Sequence, residues 1–265
     1  MKLTLGATTR PWSKWTFEEA CHAIADAGYT HVAPFAHGGR IPINSASTPE
    51  EIAQFRQLLA SIPLTPSMLI TRTLLDAPLE EAVADYRRTI DAAAAAGITW
   101  CMNTGCAKEE LFEKYNELFR RCAPYAWEKG VKLVMKPHGG NGLTAEHMRR
   151  VVEAVAHPAF SICYDPGNII YYTNGEVRPE SDVHGVKEYV SVCIIKDCVL
   201  ADGKPDVQVL PGEGLVDFRR VLAALTGAGF QGPLYVECLG GSEWNDINHR
   251  ARRTHAFLTQ IVAEL

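Results

Sequence analysis

Short apolar runs rich in β-branched residues alternate with longer amphipathic segments along the whole of this 265-residue chain. That alternation is its tightest constraint on fold. A run too short for a helix, followed by a segment of helical periodicity, is the pattern of a strand and its crossover helix in a parallel sheet. Strands are predicted at residues 3–6, 30–34, 64–69, 99–103, 132–136, 160–165, 190–196 and 234–237, with helices at 16–27, 49–61, 79–96, 109–129, 145–156, 216–228 and 246–263. Eight strands, seven of them followed by such a helix, in a chain near 250 residues predict an α/β protein, a (β/α)8 barrel forming one domain over residues 1–265. Gly28, Gly97, Gly130 and Gly229 fall where four of the helices should end. Two longer polar-aromatic stretches, 36–47 and 169–179, are expected as loops at the catalytic mouth, either lids or plain surface excursions.

Composition matters for what it excludes. A net charge of −5 and the absence of a lysine or arginine run argue against a nucleic-acid partner, which needs a concentrated basic surface. Hydrophobic residues make up 47% of the chain, enough for a sizeable core. No stretch is apolar for long enough to span a bilayer, and the first strand is expected almost at Met1, without a secretory leader. No membrane partner and a cytoplasmic location are therefore expected. The eight cysteines (Cys21, Cys101, Cys106, Cys122, Cys163, Cys193, Cys198 and Cys238) are scattered and read as small buried hydrophobes, since none forms the Cys-x-x-Cys repeat of a zinc site.

In a barrel the carboxyl ends of the strands form the active mouth, and a polar residue there faces it, whereas the same residue in mid-strand would be buried without a partner. The predicted strands end in Met135-Lys136-Pro137-His138, Tyr164-Asp165-Pro166-Gly167-Asn168, Ile195-Lys196-Asp197 and Val236-Glu237. Lys136, Asp165, Lys196 and Glu237 are thus expected to converge.

With these residues, and with the Pro211-Gly212-Glu213-Gly214-Leu215-Val216-Asp217-Phe218 run, the chain resembles the xylose-isomerase-like TIM-barrel sugar isomerase/epimerase family over most of its length. The resemblance implies one divalent cation held by a glutamate on strand five, an aspartate on strand six, a histidine two residues before Lys-Asp on strand seven and a glutamate on strand eight. It also implies two glutamates that remove and return a proton on opposite faces of a sugar. Here Asp165 and Glu237 match, but Lys136 stands where the first glutamate would be and Ile194 where the histidine would be. Isoleucine has no donor atom, and an ammonium has no lone pair. Protonated Lys136 with Asp165 and Glu237 sums to −1, the same formal total as three carboxylates and a divalent cation. Lys136 is therefore expected in roughly the metal's place, either as a positive pole for a substrate oxygen or as a buried ion pair holding the mouth together. The cofactor expectation is either none or one divalent cation (manganese, magnesium, zinc or cobalt) on Asp165 and Glu237, with His138 as an added ligand.

Glu237, Lys136 and Asp165 are the catalytic candidates, and His138, Asn168, Lys196, His37 and Arg40 the substrate-binding ones. Lys196 suits a substrate anion, with Asp197 as its simple partner; His138 could instead cap the Gly139-Gly140 loop. His31 and His37 flank the end of the second strand, and Glu213 either reaches the mouth or only sets a turn. Trp12, Trp15, Phe35, Tyr171, Tyr172 and Trp244 are candidates for stacking on a sugar ring or for plain packing. The function expected is isomerisation or epimerisation of a small sugar or keto-sugar by proton abstraction next to a carbonyl, in a possible homo-oligomer. The alternatives are a lyase eliminating β to the carbonyl with Lys136 in place of a metal, a Schiff base through Lys136, and a non-catalytic sugar-binding relic. Metal-dependent phosphodiester cleavage is disfavoured, because Lys136 and Asn168 stand where that chemistry needs ligands.

Overall fold

The computed structural model describes residues 3–265. In chain order its strands are β1 (Leu5–Thr8), β2 (His31–Ala33), β3 (Thr65–Pro66), β4 (Met68–Ile70), β5 (Trp100–Asn103), β6 (Lys132–Met135), β7 (Phe160–Tyr164), β8 (Val190–Ile195), β9 (Val199–Ala201), β10 (Lys204–Asp206) and β11 (Leu234–Val236). The helices are α1 (Phe17–Asp26), α2 (Pro49–Ala60), α3 (Leu79–Ala95), α4 (Phe112–Glu128), α5 (Ala145–Val155), α6 (Pro166–Tyr172), α7 (Pro179–Asp182), α8 (Phe218–Gly227) and α9 (Trp244–Glu264). Nine strand segments form one sheet in the order β3-β2-β1-β11-β8-β7-β6-β5-β4. All its pairings are parallel. Its two ends, β3 and β4, are consecutive in the chain and separated only by Ser67, so they form one interrupted barrel strand and the sheet closes into the predicted eight-stranded barrel. The β9–β10 pair is an antiparallel hairpin that follows β8.

Two apolar layers follow from the two-residue period of the strands. One set of side chains packs outward under the helices in the main core. The other, Ala33, Met68, Met102, Val134, Cys163, Val192, Ile194 and Tyr235, fills the barrel interior. Tyr235 crosses that interior to hydrogen-bond Ser67, the residue at which the third barrel strand is interrupted. Ile194 belongs to this buried layer rather than to the mouth, as an apolar side chain at an inward position must.

The helix starts follow local sequence. Thr16 with Glu19, and Thr48 with Glu51, make reciprocal capping boxes at α1 and α2. The four helix-ending glycines take left-handed φ values between 70° and 96°. Residues 169–179 depart from expectation: the stretch predicted as a loop starts inside α6, because Asp165 accepts the Asn168 amide as N-cap and Pro166 occupies the first turn. The first strand runs to Thr8 rather than ending at residue 6, which carries the chain two residues further toward the mouth. Among the described residues no helix is long and apolar enough to cross a membrane.

Candidate active site

The residues that follow the barrel-interior layer by one more step of the alternation line the mouth. Phe35 follows Ala33, Ile70 follows Met68, Thr104 follows Met102 and Lys136 follows Val134; Asp165 follows Cys163, Lys196 follows Ile194 and Glu237 follows Tyr235. Because each side chain inherits the inward direction of the residue two before it, the apolar interior becomes a polar floor in a single layer. A cavity of 260 Å³ opens above it, lined by most of these residues together with Arg10, His138, Asn168, Tyr171, Tyr172 and Val207.

The predicted four converge. Lys136, Asp165, Lys196 and Glu237 are all buried. Lys196 Nζ lies 3.1 Å from Asp165 Oδ2, Glu237 Oε1 and Asn168 Oδ1. An ammonium has three N–H groups, so Lys196 is saturated within the protein. Lys136 donates to Glu237 Oε2 and stands 3.1 Å from Asp165 Oδ2, which leaves it an N–H for a guest. Burial works against the charge on Lys196, but Asp165 and Glu237 more than reverse that and raise its pKa. Burial likewise pushes the Glu237 carboxyl up, yet Lys136, Lys196 and Arg10 outweigh it and hold the group well below the usual carboxylate range.

Sequence reasoning missed Arg10. It lies just beyond β1, and its Nη1 is 3.2 Å from Glu237 Oε1 and 2.7 Å from Cys238 Sγ. The signal was present, a charged residue just past a strand end, but was hidden by placing that end at residue 6. With Arg10 and Lys196 counted, three cations face two carboxylates and the formal total is +1, not the −1 obtained from Lys136, Asp165 and Glu237 alone.

The substrate-binding candidates divide. His138 lines the cavity, with Nε2 2.8 Å from the Tyr172 hydroxyl. Partial burial, then Lys136 and Lys196, lower its pKa, so the imidazole is neutral near pH 7. Burial pushes the Tyr172 phenol up to about 12. The loop that presents His138 needs glycine: Gly140 has φ +53°, and a Cβ there would meet Cys106 O at 2.0 Å. Asn168 holds Lys196 through Oδ1 while its Nδ2 donates to Pro137 O at 2.7 Å, so it positions the lysine.

His37 and Arg40 are not brought to this cavity. His37 is held by Trp15 O and Thr9 Oγ1, each at 2.8 Å. Arg40 pairs with Glu51 and lines a neighbouring cleft of 310 Å³ with Arg72 and Asn44. The reason is the conformation of the 36–47 loop, which folds back through a His37–Arg40 backbone bridge. His31 begins β2, at the opposite end of the barrel. Of the aromatic candidates, Phe35, Tyr171 and Tyr172 line the cavity. Trp12 is buried against Asn248, and Trp15 packs on Trp244.

Asp197 does not pair with Lys196. Its carboxylate accepts the backbone amides of Cys198 (2.8 Å), Gly212 (2.9 Å), Gly214 (2.8 Å) and Val216 (3.0 Å), fixing the turn before α8. Glu213 in that turn is exposed and pairs with Arg253.

As a metal site the floor does not fit. Asp165 Oδ1 accepts the Asn168 amide, Oδ2 faces both lysines, and Glu237 Oε1 and Oε2 face Lys196, Arg10 and Lys136. Every carboxylate oxygen is engaged, and among the described residues no group of three His, Cys, Asp or Glu side chains is placed to hold an ion. His138 turns its Nε2 to Tyr172. A cation would have to displace two ammonium groups.

The sequence pattern of the family described as xylose isomerase-like TIM barrel matches residues 21–261. A Mycobacterium smegmatis xylose isomerase-like TIM barrel protein in complex with magnesium superposes with a TM-score of 0.77 at 18% identity, covering 99% of this chain and 97% of its own. D-allulose 3-epimerase from Methylomonas sp. gives 0.77 at 18% identity over 98% of each chain. An inosose dehydratase from Geobacillus thermodenitrificans is 28% identical over 141 residues, 49% of this chain and 47% of that protein. The chain thus aligns with about half the length of the curated relatives it matches.

Proposed function

The chain belongs to the xylose isomerase-like TIM barrel family, and we propose that it is an enzyme that moves a proton at the carbon next to the carbonyl of a small keto-sugar, as an isomerase or epimerase. The observation that carries this reading is the Lys136 ammonium, seated against both Asp165 and Glu237 with an N–H left for a substrate oxygen. A carbonyl accepting that N–H is polarised, which acidifies the neighbouring C–H. Glu237 takes the proton, the C–H electron pair moves onto the carbonyl oxygen, and the enolate stays against Lys136. As Lys136 turns toward the growing oxyanion its hold on Glu237 weakens and the carboxylate gains basicity when the proton must move. Return of the proton by Glu237 to the adjacent carbon, with that carbon's hydroxyl proton passing to the former carbonyl oxygen, gives an isomer; an epimer requires Glu237 to keep its proton while solvent or another cavity donor delivers one to the opposite face. His138 and Tyr172 sit at the cavity wall to bind substrate hydroxyls.

The relatives named inosose dehydratase favour a second reading, in which the same enolate expels a β-hydroxyl as water. The eight cysteines are free and buried, which suits the reducing cytoplasm.

Proton NMR of a ketose and keto-sugar panel in D2O tests both readings. Loss of an α-C–H signal without a new product class supports isomerase or epimerase chemistry, an unsaturated or deoxy product supports elimination, and Glu237→Gln should stop either. Binding of a sugar with no exchange at any carbon would overturn both and leave a binding relic.

A further inference from the structure

Two cations of this site have no part in the proton transfer, Lys196 and Arg10; the first has all three donors engaged in the protein, the second does not. Arg10 Nη1 holds Glu237 and Cys238, while Nε and Nη2 make no hydrogen bond to the protein among the described residues. The side chain is 32% exposed, packs on one side near the Phe35 ring, and lines the same cavity as Lys136. A guanidinium presents its N–H groups as a planar fork that matches the two oxygens of a carboxylate.

Charge points the same way. Arg10, Lys136 and Lys196 face Asp165 and Glu237, His138 is neutral, and among the described residues no other charged residue lines the cavity, so the site carries one unbalanced positive charge. One carboxylate on the guest neutralises it. A phosphate dianion would overshoot, and a neutral sugar would leave it uncompensated. At 260 Å³ the cavity lies below the usual range for drug-sized ligands and suits a single small sugar.

From this we infer that the substrate is a keto-sugar acid whose carboxylate docks on the free side of Arg10. Lys136 and Arg10 flank the two oxygens of one carboxylate, Glu237 Oε2 and Oε1 respectively, so the guest's carbonyl and carboxylate groups lie close together, as in a 2-keto or 3-keto acid. This rests on the proton-transfer reading for the role of Lys136, but the carboxylate site itself is read from binding alone.

Isothermal titration tests it with two matched pairs, 2-keto-D-gluconate against D-fructose and 2-keto-L-gulonate against L-sorbose. Each acid differs from its neutral partner only by a carboxylate in place of the terminal hydroxymethyl group. At least one acid should bind about tenfold or more tighter than its partner, the factor of a charge-assisted hydrogen bond. Arg10→Gln should erase that preference, and Arg10→Lys, which keeps the charge and loses the fork, should retain part of it. Thermal melting of each variant verifies folding. The inference is overturned if no acid binds, if the neutral ketose or D-fructose 1-phosphate binds as tightly as the acid, or if the preference survives in folded Arg10→Gln. Acid preference without α-proton exchange would retain the carboxylate site and reject the isomerase reading; exchange on neutral sugars alone would do the reverse.

Discussion

Lys136 and Lys196 bring their ammonium groups to the same oxygen of Asp165, each at 3.1 Å. Two cations on one buried carboxylate oxygen are tolerable because Glu237 closes the square from the other side, giving each lysine a second anion. The Lys136 ammonium thus sits between the two carboxylates, where a bound cation would otherwise bridge them.

Lys136→Glu should open that position to a cation. The introduced carboxylate joins Asp165 and Glu237 beside a vacated cation position, an oxygen-rich set suited to manganese or magnesium. Calorimetric titration with manganese should show no saturable site in the native protein and one in the variant. Saturable binding by the native protein would refute the reading of the floor as closed to metals.

Lys196→Met should be the costlier of the two lysine losses for folding. Lys196 has all three donors engaged in the protein, and its removal leaves Asp165 and Glu237 sharing Lys136 and Arg10. Breaking a buried charge network by deleting one partner costs about 3–5 kcal/mol. Urea denaturation should show a fall of that order, and a change below about 1 kcal/mol, typical of an exposed pair, would contradict the assignment.

Stability should fall on both sides of a neutral plateau. Glu237 is held below its ordinary value of 4.5, so the stability it contributes is present above that value and is lost as pH falls below it toward the folded pKa. Lys196 is raised above 10.5, so its contribution is complete below that pH and lost as pH rises beyond it. Thermal melts across pH should show both limbs, with Glu237→Gln shrinking the acid one. An unchanged acid limb in that variant would assign it elsewhere.

Asp197→Asn should loosen the turn before α8 without touching the cavity. An amide offers one acceptor oxygen where the carboxylate serves four backbone N–H groups, so at least one pair of amides is left facing an N–H₂ group. The loss should be about 3 kcal/mol, two charge-assisted bonds' worth. Hydrogen exchange at the Gly212, Gly214 and Val216 amides should accelerate; full protection there would argue against the role.

The alternation of short apolar runs with helical segments made the barrel legible, and the polar residue closing each run pointed Lys136, Asp165, Lys196 and Glu237 to its mouth, because strand and helix periodicity are local properties of the backbone. Strand and helix order were legible for the same reason. Local pattern cannot set where a strand stops, since stopping depends on what its neighbours pair with; placing the first strand two residues early concealed Arg10. Nor can it say which loop folds over the mouth: residues 36–47 carry His37 into contact with Trp15 and Thr9, and Arg40 to Glu51. Only the tertiary structure decided how hydrogen-bonding capacity is shared among the described residues, saturating Lys196, leaving a donor on Lys136 and two nitrogens of Arg10 without a protein partner, and turning Asp197 to four amides. Those are counts over residues distant in sequence. They follow from three-dimensional proximity, which no run of neighbouring residues contains.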